Sequence, residues 1–194
     1  MSDDGPSSRP DSAACHAAVI TVEAVDPAWL AALPECPGLC HEATLAVLAK
    51  LGFDAFGDAL EVGVRLSGDG ELRALNQQYR HMDKATNVLS FAASDCVAGA
   101  LPAAPPAGAP LALGDVVLGL ETVCAEAADQ GKAVADHMRH LVVHGVLHLA
   151  GYDHEDDDQA SVMETLETDI LAGLGIADPY GVEPRAVAQG GARS

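Results

Sequence analysis

The chain has 194 residues, 49% of them hydrophobic, which is enough apolar material for the buried core of one domain of ordinary size and argues against disorder throughout. Its formal net charge of −19 argues against a protein that grips nucleic acid through a broad basic surface. No stretch reaches the roughly 18 apolar residues of a membrane span, and the odd set of five cysteines accompanies no signal peptide. We therefore expect a soluble protein of the reducing cytoplasm with no membrane partner.

Composition divides the chain into one domain and two tails. Residues 1–20 are rich in Ser, Pro, Asp and Ala, which predicts a disordered N-terminal tail. Residues 182–194 have no apolar period and predict a flexible C-terminal tail. A single domain is expected over residues 21–181, interrupted by a Pro/Ala-rich loop at 97–110.

Hydrophobic periodicity within this domain predicts five helices and three strands. In chain order these are a helix at 42–50, a strand at 59–66, a helix at 71–82, strands at 86–91 and 114–120, and helices at 121–129, 133–150 and 157–174. Gly151 follows the fourth helix, where a left-handed glycine commonly ends a helix.

A short region around the second helix is basic although the whole chain is acidic. Arg73, Arg80 and Lys84 stand there against the single carboxylate of Asp83. Together with Gln77, the three cations share one helix face if the helix extends to Lys84. Such a strip suits a cleft that accepts a phosphate backbone at one place, and the alternative is a set of ordinary exposed charges opposite an apolar face.

Three histidines have the spacing of a zinc site built on a helix and the loop after it. His144 and His148 are four residues apart and therefore lie on one helix face. The turn at Gly151 brings His154 back towards them. Three nitrogen ligands with a fourth position left for water are typical of a catalytic zinc site. The alternative for each histidine is an ordinary core or surface side chain.

The same spacing occurs in metzincin peptidases, where a glutamate after the first histidine is the general base. That position is Gly145 here, so the peptidase interpretation loses its base while the metal interpretation does not. Asp153 and Glu155 could orient a ligand or accept a proton, or could be solvated loop charges. His137 and His140 continue the stripe along the helix, either lining the approach to the metal or forming a partly buried pair.

Four motifs, in one order from about Leu60 to Tyr180, resemble the YbeY endoribonucleases, also called rRNA maturation factors. They are LNQQYRHMDKATNVLSF at 75–91, LGD at 113–115, HLVVHGVLHLAGYDH at 140–154 and METLE at 163–167. The resemblance implies an α+β fold in which a small mixed β-sheet packs with about five to six helices, one of them a zincin-like metal-binding helix.

The resemblance also implies the activity and the site. The expected enzyme is a single-strand-specific, metal-dependent endoribonuclease that acts in 16S rRNA 3′-end maturation and in late-stage 70S ribosome quality control. Its partners would be single-stranded RNA, ribosomal RNA, and the small ribosomal subunit with its proteins. One Zn²⁺ per chain would be bound by His144, His148 and His154, and Arg80 would face it across a cleft and be needed for activity.

The residues leave several alternatives open. Zinc could polarise a phosphoryl oxygen or deliver hydroxide, or a ribose 2′-hydroxyl could attack, while Arg80 neutralises charge on the phosphate. The strand at 86–91 and the residues Gly114 and Asp115 could form cleft walls or be purely structural. Two other function classes remain: a non-catalytic, zinc-stabilised ribosome-assembly factor, and a zinc hydrolase of another substrate class.

Overall fold

The structure is a computed structural model that describes residues 18–181, where it contains a four-stranded mixed sheet, six α-helices and one 3-10 helix. The strands are β1 (Val19–Ala24), β2 (Leu60–Ser67), β3 (Val88–Ala92) and β4 (Leu111–Gly119). The α-helices are α1 (Ala28–Ala32), α2 (Cys36–Leu51), α3 (Asp69–Arg80), α4 (Leu120–Asp129), α5 (Val134–Leu149) and α6 (Asp157–Gly173), and the 3-10 helix is Phe53–Ala59. The predicted α+β class with a small mixed sheet is confirmed.

The sheet has the strand order β1-β2-β4-β3, so β1 and β3 are its edges. β1, β2 and β4 are parallel, and β3 is antiparallel to β4. Alternate residues of β2 point to one face, where Leu60, Val62, Val64 and Leu66 are buried in the main core. Helices α2 and α5 cover this face and contact each other.

The opposite face of the sheet is covered in part by α3. Leu72 of α3 packs there with Leu89 and Val117, and Leu75 and Phe91 border this second cluster. Helices α3 and α5 therefore lie on opposite faces of the edge strand β3. This arrangement matters for the site, because α3 ends at Arg80 while α5 carries the histidine stripe.

The structure extends or shortens several predicted elements. β1, α1 and the 3-10 helix were not predicted, and β1 begins at Val19, inside the expected N-terminal tail. Helix α2 begins at Cys36 rather than at residue 42, since Pro37 is tolerated in a first helical turn. β4 begins at Leu111, and its pairing with β2 is shifted by one residue between Glu61 and Val62.

The remaining expectations concern the loop, the tails and the membrane. Residues 93–110 connect β3 to β4 without helix or strand. Residues 1–17 of the expected N-terminal tail and the expected C-terminal tail at 182–194 lie outside the described residues. No helix between residues 18 and 181 has the length and apolar character needed to cross a bilayer.

Candidate metal centre

Helix α5 is buried along one side and polar along the other. Met138, Val142, Val146 and Leu149 are fully buried in the main core. The histidine stripe, at positions 137, 140, 144 and 148, lies on a different side of the helix and faces α4 and α6 in part, as its hydrogen-bond partners show. The core thus fixes the helix axis and holds the imidazoles in place.

The three predicted ligand histidines converge. One ring nitrogen from each of His144, His148 and His154 lies within 4.8 Å of the others. The two Nε2 atoms of His144 and His148 are 3.1 Å apart, and two nitrogens bound to one tetrahedral zinc at roughly 2.0–2.1 Å would be about 3.3 Å apart. The side chains of His144 and His148 are only partly exposed, and His154 is exposed.

The turn after α5 places the third histidine. Gly151 has φ +87°, its N–H donates to the His148 carbonyl, and the N–H of Tyr152 donates to the Leu147 carbonyl. These two bonds form a Schellman motif, as the glycine predicted. A side chain is also excluded sterically, because a Cβ atom at position 151 would lie 2.3 Å from the Cys96 carbonyl oxygen.

The same turn orients His148. The carbonyl of Tyr152 accepts a hydrogen bond from His148 Nδ1 at 3.0 Å. A carbonyl oxygen can only accept, so Nδ1 carries the hydrogen and Nε2 keeps its lone pair. Burial and the neighbouring His144 and His154 lower the pKa of His148 to about 4. A neutral ring with a free Nε2 is the form that binds a metal.

A buried carboxylate contacts the corresponding nitrogen of His144. Glu167 of α6 is 1% exposed, and its Oε1 accepts from His144 Nδ1 at 2.8 Å. Its Oε2 accepts from His140 Nε2 at 2.8 Å and from the Tyr180 hydroxyl. Burial alone would raise the pKa of Glu167, but the bonds from His140, His144 and Tyr180 outweigh burial and lower the pKa to about 2.

These residues fit a divalent metal. The Nε2 atoms of His144 and His148 are 3.1 Å apart, and the Nδ1 atom of each lies within hydrogen-bond distance of an oxygen. When both rings are neutral with hydrogen on Nδ1, the two Nε2 atoms can share a cation and have no hydrogen between them. In zinc-bound histidines, the ring nitrogen that does not bind the metal usually donates its hydrogen to a carboxylate or a carbonyl.

Gly145 has a structural reason to lack a side chain. A Cβ atom there would lie 2.6 Å from Val116 Cγ1 on β4. The carbonyl of Gly145 accepts a hydrogen bond from the Ser90 hydroxyl of β3 at 3.1 Å. Helix α5 therefore approaches the sheet closely at the level of the converging histidines. The position where a metzincin has its glutamate points at the sheet, which strengthens the argument against that peptidase mechanism.

The two loop carboxylates do not orient a ligand imidazole. Asp153 Oδ1 lies 3.9 Å from His148 Nδ1, too far for a hydrogen bond, and accepts instead from the backbone N–H of His154 at 2.8 Å. Glu155 is exposed and has no hydrogen bond or ion pair within the described part of the chain. The oxygens that contact the Nδ1 atoms of His148 and His144 are instead those of the Tyr152 carbonyl and Glu167.

His137 and His140 each contact a carboxylate of a neighbouring helix, Glu126 of α4 and Glu167 of α6 respectively. His137 is buried, and its Nε2 lies 2.8 Å from Glu126 Oε2. Burial lowers the pKa of His137 despite this carboxylate. The same Glu126 oxygen accepts from Asn87 Nδ2 at 2.9 Å, so α5 is connected through α4 to the start of β3. This connection gives the Thr-Asn pair at 86–87 a structural role.

Arg80 is the last residue of α3 and is exposed. The helix ends there because His81 is left-handed, with φ 58°. The buried Asn76 side chain then donates to the Lys84 carbonyl at 2.8 Å and holds the turn. Among the arginines between residues 18 and 181, Arg80 alone lacks an ion pair, since positions 65, 73 and 139 are each bound to carboxylates.

The expected basic strip is not continuous. Lys84 lies beyond the end of α3, and Arg73 is bound to Asp83 by two hydrogen bonds of 2.5 and 2.9 Å. Gly114 and Asp115 lie on β4, where a Cβ at Gly114 would be 2.2 Å from the Phe91 carbonyl oxygen. Asp115 belongs to the sheet face that carries α3, away from the histidines.

Glu167 is the site residue to which the sequence interpretation assigned no role. The sequence does contain an indication of its burial, because Glu167 lies on the apolar side of α6 between the buried residues Met163 and Ile170. A carboxylate four residues after one core residue and three before another is costly to bury unless it has partners. Its two histidine partners lie 23 and 27 residues earlier in the chain, where local spacing gives no indication of contact.

Comparison with known proteins shows which family this chain resembles. A family model described as Endoribonuclease YbeY matches residues 39–175. A protein named endoribonuclease YbeY from Paramagnetospirillum magneticum is 51% identical over 166 residues, covering 84% of this chain and 98% of that protein. One of the same name from Rhodospirillum rubrum is 48% identical over 165 residues, covering 83% and 80%.

A solution structure of a Thermotoga maritima protein is also similar, with 22% identity, a TM-score of 0.47, and coverage of 84% of this chain and 100% of that one. The range that the family model matches includes Arg80, the three converging histidines and Glu167. With this match and relatives that are about half identical over most of their length, the chain belongs to the endoribonuclease YbeY family.

Proposed function

We propose that this protein is a zinc-dependent, single-strand-specific endoribonuclease that acts in 16S rRNA 3′-end maturation and in late-stage quality control of the 70S ribosome. The observation that carries the metal-dependent chemistry is the convergence of three imidazole nitrogens within 4.8 Å. Membership of the family supports RNA as the substrate. The sequence resemblance supports the ribosomal role, the small-subunit partners and the cytoplasmic location.

His144, His148 and His154 would each give one ring nitrogen to a single Zn²⁺. When bound, zinc supplies a Lewis acid that polarises a phosphoryl oxygen and lowers the pKa of water. The protein keeps the ligands ready, since Glu167 and the Tyr152 carbonyl hold the Nδ1 hydrogens of His144 and His148. Three protein ligands leave a coordination position open, as a catalytic site requires.

Arg80 would bind the phosphate that reacts. A guanidinium forms two parallel hydrogen bonds with phosphate oxygens and neutralises the charge that builds on them. Arg80 is suited to this role because no carboxylate in residues 18–181 is paired with it. The chain carries a net charge of −19, so a guanidinium without a carboxylate partner is one of its few groups able to attract a phosphate.

The test compares bound zinc and cleavage of an unstructured RNA for the wild type, Arg80→Ala and His144→Ala. We expect Arg80→Ala to keep zinc and lose roughly 10²- to 10³-fold in cleavage rate, as for loss of one transition-state donor. We expect His144→Ala to lose both zinc and cleavage. Arg73→Ala is the matched control, because Arg73 lies on the same helix but is neutralised by Asp83.

Equal cleavage by the wild type and both site variants, with contaminating nuclease excluded, would rule out the enzyme proposal. The product ends identify the nucleophile. A 2′,3′-cyclic phosphate marks attack by the ribose 2′-hydroxyl, whereas a 5′-phosphate marks attack by water.

A further inference from the structure

Glu167 is the one acidic side chain in the described range that is buried. It is 1% exposed on α6, the helix that packs beside α5. Removing a carboxylate from water costs several kcal/mol even after the protein relaxes. A buried carboxylate therefore needs strong hydrogen-bond donors, and their identity indicates its role.

Within the described residues, Glu167 has three hydrogen-bond donors. They are His144, which is one of the three converging histidines, and the neighbouring side chains of His140 and Tyr180. Between residues 18 and 181, the only donor to Oε1 is His144 Nδ1, at 2.8 Å. Oε2 accepts from His140 Nε2, at 2.8 Å, and from the Tyr180 hydroxyl. The Tyr180 ring also packs edge-on against His140, with ring centroids 5.8 Å apart. One oxygen thus serves a metal ligand, and the other is held by two groups that are not ligands.

This division fixes the hydrogen positions. An ionised carboxylate has no hydrogen to donate, so both His144 Nδ1 and His140 Nε2 must carry one. In its neutral form, His144 then carries its hydrogen on Nδ1 and a lone pair on Nε2, the atom that lies 3.1 Å from His148 Nε2. With its tautomer reversed, His144 would present an N–H to the metal and could not bind it.

We propose that Glu167 is the positioning residue of the metal centre, which selects the metal-binding tautomer of His144, and that His140 and Tyr180 hold Glu167 in place for this task. The inference rests on the proposed metal function. It assigns the stripe residue His140 to the support of the site, and it ties the segment after α6, through Tyr180, to the metal ligands.

The first test measures zinc affinity by competition with a chromogenic chelator. Glu167→Gln keeps the shape but replaces one accepting oxygen by an NH₂ group that faces N–H or O–H donors. We expect zinc to bind about 10- to 100-fold more weakly, the range found when a partner of a metal-bound histidine is removed. Glu164→Gln is the matched control, since Glu164 is exposed on the same helix, and its affinity should equal that of the wild type.

The second test needs no substitution and so avoids any loss of folding in Glu167→Gln. In the metal-free wild type, two-bond ¹H–¹⁵N spectra near pH 8 report the tautomer of each histidine. We expect hydrogen on Nδ1 and a lone pair on Nε2 for His144, with the opposite arrangement for His140. Hydrogen on Nε2 of His144 would overturn the inference.

The outcomes separate the two proposals. A wild-type protein that binds no zinc contradicts the proposed function. A wild type that binds zinc, together with a Glu167→Gln variant of equal affinity, contradicts the positioning role alone. Weakened binding in Glu167→Gln and unchanged binding in Glu164→Gln, together with the expected tautomers, supports both.

Discussion

Gly145 shows how a single residue sets the distance between the metal-binding helix and the sheet. Its carbonyl accepts a hydrogen bond from the Ser90 hydroxyl. Val116 occupies the space that a side chain at position 145 would need. The atoms on both sides belong to the packed interior, where side chains have little room to move. The absence of a side chain here is therefore a packing requirement of the site.

Replacing Gly145 by alanine should lower the free energy of unfolding by about 1–3 kcal/mol, as overpacking does in well-packed cores. The added Cβ would lie 2.6 Å from Val116 Cγ1. The matched control is Gly38→Ala in α2, where nothing lies within 4 Å of the new atom and helix propensity should add about 0.5–1 kcal/mol. Urea unfolding of the metal-free proteins measures both, and equal stabilities would contradict this account.

Local spacing was sufficient to predict the three histidines and the turn at Gly151, because helix periodicity alone brings residues 144 and 148 to one face. Glu167 depended on packing between α5 and α6, which no local pattern specifies. Arg80 was expected from the family resemblance to face the metal, and its catalytic role stays a prediction. The structure adds that Arg80 is exposed and unpaired among the described residues.

The end of α5 is the element on which the metal centre depends most. Its Schellman motif both stops the helix and directs the Tyr152 carbonyl at His148. A Cβ atom on the left-handed residue of this motif would lie 2.3 Å from the Cys96 carbonyl oxygen, in the connection between β3 and β4. Gly151 therefore ends the helix, takes part in the turn that directs the Tyr152 carbonyl at His148, and fits closely beside the loop at Cys96.

Replacing Gly151 by alanine should cost stability and also weaken zinc binding, because the strained turn would shift His154. A left-handed alanine alone costs roughly 1–2 kcal/mol. Gly131→Ala after α4 is the control, since it has φ +66° and nothing within 4 Å of a new Cβ. We expect similar backbone strain in both variants but weaker zinc binding, measured by chelator competition, only in Gly151→Ala. Equal zinc affinity in the two would show that the Cys96 contact does not position the loop.

Periodicity predicted the longer helices well, with α6 differing from its expected range by one residue at its end. β1 was not predicted although its sequence, VITVEA, is rich in β-branched residues, since it borders a stretch of tail-like composition. Its partner β2 is about 40 residues further along the chain, so the pairing is not a local signal. The end of α3 was placed too late because the Asn76 bond to the Lys84 carbonyl is a tertiary feature of the turn.

The main core of the protein is built from apolar side chains. It joins α2, α5, α6 and the sheet in one hydrophobic cluster. A metal ion would contact side chains of one helix and one loop only. The fold should therefore persist without metal, in contrast to a domain that a structural zinc holds together.

Chelating zinc should consequently lower the melting temperature while leaving one cooperative transition. At a zinc concentration of 100 times Kd, binding stabilises the native state by about 2.7 kcal/mol. For a chain of this size each kcal/mol corresponds to about 2–4 °C, so we expect a loss of roughly 5–10 °C in differential scanning calorimetry. Loss of the cooperative transition on chelation would favour the non-catalytic, zinc-stabilised assembly factor instead.

The close packing of Gly145 against β4 also has an evolutionary consequence. A single codon change to glutamate would not give this scaffold a peptidase base, since the new carboxylate would begin against Val116 rather than beside a substrate. The helix would first have to move away from the sheet, and several interior residues would have to change together. In this protein, packing against β4 thus opposes the gain of a metzincin-like base by a single substitution at position 145.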